Sequence, residues 1–123
     1  LSLHDALPIW FNQDFSNPEI IPSISTGMYP KNEWFYMGFN SLTGEKAGII
    51  MMHHPEFTTP HNRWHYVNDP NIPFHYFSPA AIYNSKIILE KDDSLQLKYR
   101  VSIINGIPVE NDLDSMYKRF VRQ

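Results

Sequence analysis

Ten prolines against five glycines cut this chain into short pieces. A residue with a fixed φ and no amide hydrogen interrupts a helix, or leaves a gap in a sheet ladder, wherever it falls. Most of the pieces carry β-branched and aromatic residues, which suit a pleated, half-buried surface. The pattern predicts a mainly β fold. Glu33 to Phe39 and Lys46 to His53 are apolar on both faces, as in strands covered from two sides, and Asn40 to Glu45 reads as the turn of a hairpin between them. Asn62 to Val67 and Ile72 to Phe77 form a second candidate pair around Asn68-Asp69-Pro70-Asn71, a turn built on Pro geometry and Asx hydrogen bonding. Lys86 to Glu90 reads as a short strand leading to a turn at Asp92-Asp93. Trp10 to Pro30 is loop-like, with one weak strand around Ile20 to Ile24.

The clearest strand runs from Ser94 to Ile104. Leu95, Leu97, Tyr99, Val101 and Ile103 alternate there with Gln96, Lys98, Arg100 and Ser102, so one face is expected to meet a core and the other water. After a turn at Asn105-Gly106 the chain closes with a helix, for which Asn111 is the expected N-cap and Asp112 and Asp114 complement the dipole. Leu113, Met116, Tyr117, Phe120 and Val121 recur at helical spacing and predict that the helix docks on the sheet, with Lys118, Arg119 and Arg122 near its C-terminus.

The first nine residues, LSLHDALPI, resemble the translation of a sequencing-adapter oligonucleotide and are set aside from fold reasoning. The expectation is one domain over residues 10–123, the later part of a sandwich whose earlier part lies upstream. Hydrophobic content of 42% with 19% charged residues is that of a globular chain. A formal charge of -3 without a basic run argues against a nucleic-acid partner, which needs a Lys/Arg footprint. The longest apolar run, Ala47 to Met52, falls far short of the roughly 20 residues that cross a bilayer. Cysteine is absent, which removes disulfides, thiol catalysis and Cys-ligated zinc.

Five of the six histidines lie between Ala47 and Phe77, among prolines and aromatics. Imidazole, guanidinium, carboxylate and flat rings gathered this way point to one site. Trp64, Tyr66, Phe74 and Tyr76 offer faces on which a sugar ring can stack, while His54, Arg63, His65 and His75 offer hydrogen bonds. Glu56 or a histidine can act as general acid or base. The candidate catalytic residues are therefore His54, Glu56 and His75, and the candidate substrate-binding residues Arg63, Trp64, His65 and Tyr76. Aromatics at alternating strand positions have a plainer reading as core.

Metal binding is the weaker alternative. His53, His54, Glu56, His61, His65 and His75 are suitable donors, but His61 and His65 are four apart beside Pro60 in a β-type segment, so no metal or other cofactor is expected. Arg100 is expected to make an ordinary cross-strand pair with an acidic residue, whereas Arg63, beside Trp64, is an even choice between that and an anion clamp. Neither a nucleophile elbow nor a phosphate-cradling Gly-rich loop is present.

The order GEKAGIIMMHHPEF, PHNRWH, PFHYFSPA, LEKDDSLQLKYRVSIING and DLDSMYKRF resembles the C-terminal part of the PmoA-like proteins of bacteria, over roughly Met28 to Phe120. That resemblance implies an antiparallel β-sandwich, part of a galactose-mutarotase-like supersandwich, with a short C-terminal helix. It also implies a link to carbohydrate utilisation, export from the cytoplasm and a missing N-terminal half. Here His53 stands where an acidic residue is common in that family, and no catalytic position can be carried over. The family's inherited label, methane oxygenase, suits a membrane-embedded subunit and does not fit this chain, which has no spanning segment. The alternatives are a non-catalytic structural or interaction β-domain and, less favoured, a His-based metal-dependent enzyme.

Overall fold

A computed structural model describes residues 9–11, 19–22, 33–40, 44–67 and 75–123. Among these residues seven strands precede one helix: β1 Ile9–Phe11, β2 Glu19–Pro22, β3 Trp34–Asn40, β4 Lys46–His53, β5 Arg63–Val67, β6 His75–Ala80, β7 Tyr99–Asn105 and α1 Glu110–Val121. They form a three-stranded sheet in the order β1-β6-β5 and a four-stranded sheet in the order β2-β3-β4-β7. Every pairing is antiparallel. The fold is thus mainly β with a short C-terminal helix, as the proline-cut pattern predicts.

The expected hairpin is β3–β4, in register from Trp34↔Met52 to Asn40↔Lys46. Its two apolar faces each find a cover. Trp34, Tyr36, Ile50 and Met52 bury against Leu113, Tyr117 and Phe120 of α1, with Ile104, Met116 and Val121 at the margin. Phe35, Met37 and Met51 bury against Trp64 and Phe77 of the three-stranded sheet. Each such side chain contributes about 1.5–3 kcal/mol on burial, so the central hairpin shared by both clusters is the fold's anchor. Within it Gly38 and Gly48 face each other beneath the Tyr36 ring, and a Cβ at Gly48 would overlap the Tyr36 hydroxyl.

Strand β7 keeps the predicted alternation but starts at Tyr99 rather than Ser94, and its two faces are covered the other way round from expectation. Arg100, on the predicted water face, lies under the helix with its guanidinium carbon 4.8 Å from the Phe120 ring centroid and donates to the Gln123 side chain. Among the described residues its partners are these, not the expected acidic side chain. On the predicted core face Tyr99 packs on the inter-sheet cluster, whereas Val101 and Ile103 are 51% and 77% exposed. The reason is positional: β7 is the edge of the four-stranded sheet, α1 reaches across it, and the three-stranded sheet does not.

Two further expectations are corrected. The helix begins at Glu110 with Val109 as N-cap and no side-chain cap bond, so Asn111 sits inside the first turn, where its carbonyl accepts from Ser115 Oγ. Residues 86–90 form no strand, although the turn that follows is real: Asp93 N donates to Glu90 O at 3.0 Å, and Asp92 has φ 72°. The turn at Asn105-Gly106 is also formed, with Gly106 at φ 84°. The turn expected at Asn68 to Asn71 lies outside the described residues.

Candidate functional site

The histidine-rich segment is dispersed over two separate surfaces. At the end of β4, His54 is 3% exposed and is wedged edge-on between Phe57 and Phe120. Its Nε2 lies 3.2 Å from the Val121 carbonyl, and its Nδ1 accepts from the Glu56 amide at 3.2 Å. A carbonyl can only accept and an amide N–H can only donate, so the ring is held as the neutral Nε2–H tautomer. Both nitrogens thus fasten the C-terminus of α1 to the β4–β5 loop. Glu56 itself is exposed on that loop.

Strand β5 alternates about Trp64. Its ring is fully buried with Phe35 and Phe77, so the expected stacking platform is core, held there by the two-residue strand period. Tyr66 follows it inward, its ring centroid 5.1 Å from that of Phe35. The same period puts Arg63 and His65 on the face turned away from the core. The register His65↔Ser78 and Val67↔Tyr76 brings Ser78 and Tyr76 of β6 to that face too. There the Tyr76 hydroxyl and His65 Nδ1 share a hydrogen bond of 3.1 Å, with the rings edge to face at 5.2 Å. Arg63 uses one guanidinium nitrogen on its neighbour, the Asn62 carbonyl, at 3.0 Å.

Three of the four expected binding residues, Arg63, His65 and Tyr76, therefore share one half-buried sheet face. His54 and Glu56 lie elsewhere. His75 opens β6 opposite Phe11, its side chain and Phe74 lying outside the described part. His61 is exposed on the loop, and His53 is half-buried beside Trp64, their rings 6.1 Å apart. Among the described residues no group of three or more His, Cys, Asp or Glu side chains is placed to hold a metal ion. Among them, too, no helix is long and apolar enough to cross a membrane.

Three buried polar side chains were not read from the sequence as such. Asn62 is 4% exposed, and among the described residues neither amide atom of its side chain has a hydrogen-bond partner; Thr58 Oγ1 and Tyr99 Oη are buried in the same condition. Burial pushes the Tyr99 phenol up to about 12, so it stays a neutral donor. The one available signal was parity, since Asn62 precedes the inward Trp64 by two.

Residues 11–118 match the model of a family described as a family of unknown function, DUF6807. No curated protein and no solved structure matches the chain.

Proposed function

The chain belongs to the family of unknown function DUF6807, and from that premise we propose that it is a carbohydrate-binding β-domain. Its ligand face is the outer surface of the three-stranded sheet. The observation that carries this reading is the convergence of Arg63, His65 and Tyr76 on that surface, joined by the Tyr76–His65 hydrogen bond. A phenol ring fixed by a neighbouring imidazole presents an apolar face with a polar tip, and the Arg63 guanidinium, two residues before His65 on the same face, supplies donors in a fixed fork. Sugars expose this same mixture of flat C–H faces and equatorial hydroxyls.

The resemblance to the PmoA-like proteins supports the same reading. It takes the two antiparallel sheets as part of a sandwich related to the galactose mutarotase supersandwich. Binding, rather than turnover, is the function this geometry favours, because the two ring nitrogens of His54 are occupied by backbone groups and Glu56 stands apart from the Tyr76 face.

Thermal-shift titration with a panel of mono- and oligosaccharides tests the proposal. A binding sugar raises the Tm in proportion to the logarithm of its excess over Kd. Arg63→Ala and Tyr76→Ala should abolish the shift, while His54→Ala lowers the starting Tm and keeps it. If no sugar moves the wild-type Tm, carbohydrate binding is the wrong reading.

An interaction domain is the second reading, favoured by the exposure of Val101 and Ile103 on an edge strand. It predicts self-association that Ile103→Lys removes, measured by light scattering.

A further inference from the structure

We propose that two copies of this chain join through β7, antiparallel and about a twofold axis at Ser102, so that their four-stranded sheets continue as one. This dimer rests on the interaction reading above and leaves the sugar-binding face, on the other sheet, untouched. Strand β7 is the last of its sheet, and among the described residues no strand pairs with its far side. Such an edge offers a row of N–H and C=O groups to another chain unless something blocks it. The opposite edge is blocked: β2 is four residues long, begins with Glu19 and ends in Pro22. β7 has no such guard. It is seven residues long, contains no proline or acidic residue, and stays in unbroken register with β4 from His53↔Tyr99 to Ala47↔Asn105. Its one charge, Arg100, is turned under α1 onto Phe120.

The strand is complementary to itself. With Ser102 on the axis, Val101 of each copy stands opposite Ile103 of the other, so the exposed apolar side chains of both strands cover one another as cross-strand pairs. Arg100 meets Ile104, and the like charges stay apart. The helices supply a charge match. α1 runs antiparallel to β7, its C-terminal end held by Lys98 and Arg100 through Gln123. An axis normal to the sheet therefore lays both helices on one side, pointing opposite ways. One flank of α1 leans to β3 through the Asp114–Trp34 bond. The other, on the Gln123 side, carries Asp112 near the start and Arg119 two turns later, both exposed. Asp112 of each copy then lies towards Arg119 of the other. These opposed charges, with the matched apolar pairs, select a second copy as the occupant of the edge.

Light scattering across a concentration series should show wild type in a monomer–dimer equilibrium. Ile103→Lys, whose side chain is exposed in a lone copy, should leave the Tm of the dilute protein unchanged and raise the dimer Kd roughly tenfold or more. Asp112→Lys or Arg119→Asp alone should raise it roughly two- to tenfold, and the two together should restore it. That exchange sets both charges against the helix dipole, so restoration reports the contact between copies and not a sturdier helix. Because the chain has no cysteine, oxidation reads the register. Ser102→Cys should cross-link to itself, and Val101→Cys to Ile103→Cys in a mixture, while neither of those two does so alone. Dimers that survive Ile103→Lys, ignore the charge exchange or cross-link at neither place would overturn this interface and leave an interaction domain standing. A wild type that remains monomeric would overturn both.

Discussion

The two faces of the four-stranded sheet are built from the same alternating strands yet treat polar groups in opposite ways. Towards α1, the polar groups at the margin are paired. Trp34 Nε1 donates to Asp114 at 2.8 Å, His54 holds Val121 and Glu56, and Lys98 Nζ donates to Gln123 O at 3.1 Å while lying 5.7 Å from the Phe120 centroid. Towards the three-stranded sheet, the buried Tyr99 hydroxyl has no hydrogen-bond partner among the described residues, and Val101 and Ile103 face solvent. The helix face is closed and self-sufficient. The other face is open where β7 forms the sheet edge, and the proposed sugar-binding surface belongs to that side of the molecule.

The sharpest way to break this contrast is Phe120→Ala. Phe120 is 1% exposed and meets His54, Lys98 and Arg100, so truncation should cost about 3–5 kcal/mol in urea unfolding. A cost near that of an ordinary surface change would mean that the helix does not anchor the sheet. His54→Ala comes next, at about 2–3 kcal/mol. Hydrogen exchange should show the last turn of α1 losing protection first, and uniform loss across the sheet would contradict the latch role.

Gly48→Ala sharpens the comparison within the helix face, since the new methyl must displace the Tyr36 ring. The expected loss is about 1–3 kcal/mol. At Gly106, which has open space but φ 84°, alanine should cost only about 1 kcal/mol, through backbone strain.

The smallest effect is in alkali. Burial raises Tyr99 to about 12, and burial with the Glu33 charge raises Tyr117 likewise. A folded pKa above the unfolded value of 10.0 gives stability that is whole below pH 10 and is lost as pH rises through about 12. Tyr99→Phe should remove one component of that decline in pH-dependent melts. An unchanged alkaline profile would mean that the Tyr99 phenol is not held neutral by the fold.

Much of the scaffold was legible because it is written in local periods. The β3–β4 hairpin, the alternation along β7 and the apolar stripe of α1 follow from spacing alone, and each is formed. The Asn111 cap was misread because the helix starts two residues earlier, with Val109 as N-cap, where packing of Leu113 and Tyr117 outweighs a missing side-chain cap. Of the candidate site, Arg63, His65 and Tyr76 were legible as polar or amphipathic groups near one another in sequence. Trp64 was not separable from them, because aromatic character alone does not say which side of a strand is inward.

The amino-acid order determined that this chain makes short antiparallel strands and one amphipathic terminal helix, since periods of two and of three to four residues are properties of the backbone itself. Only the tertiary arrangement decided which face each strand buries. Cover comes from distant elements: α1 lies over the polar side of β7, the three-stranded sheet stops short of Val101 and Ile103, and the β4–β5 loop folds Asn62 beneath the surface. Burial is set by what arrives from elsewhere in the chain, and no local pattern records that.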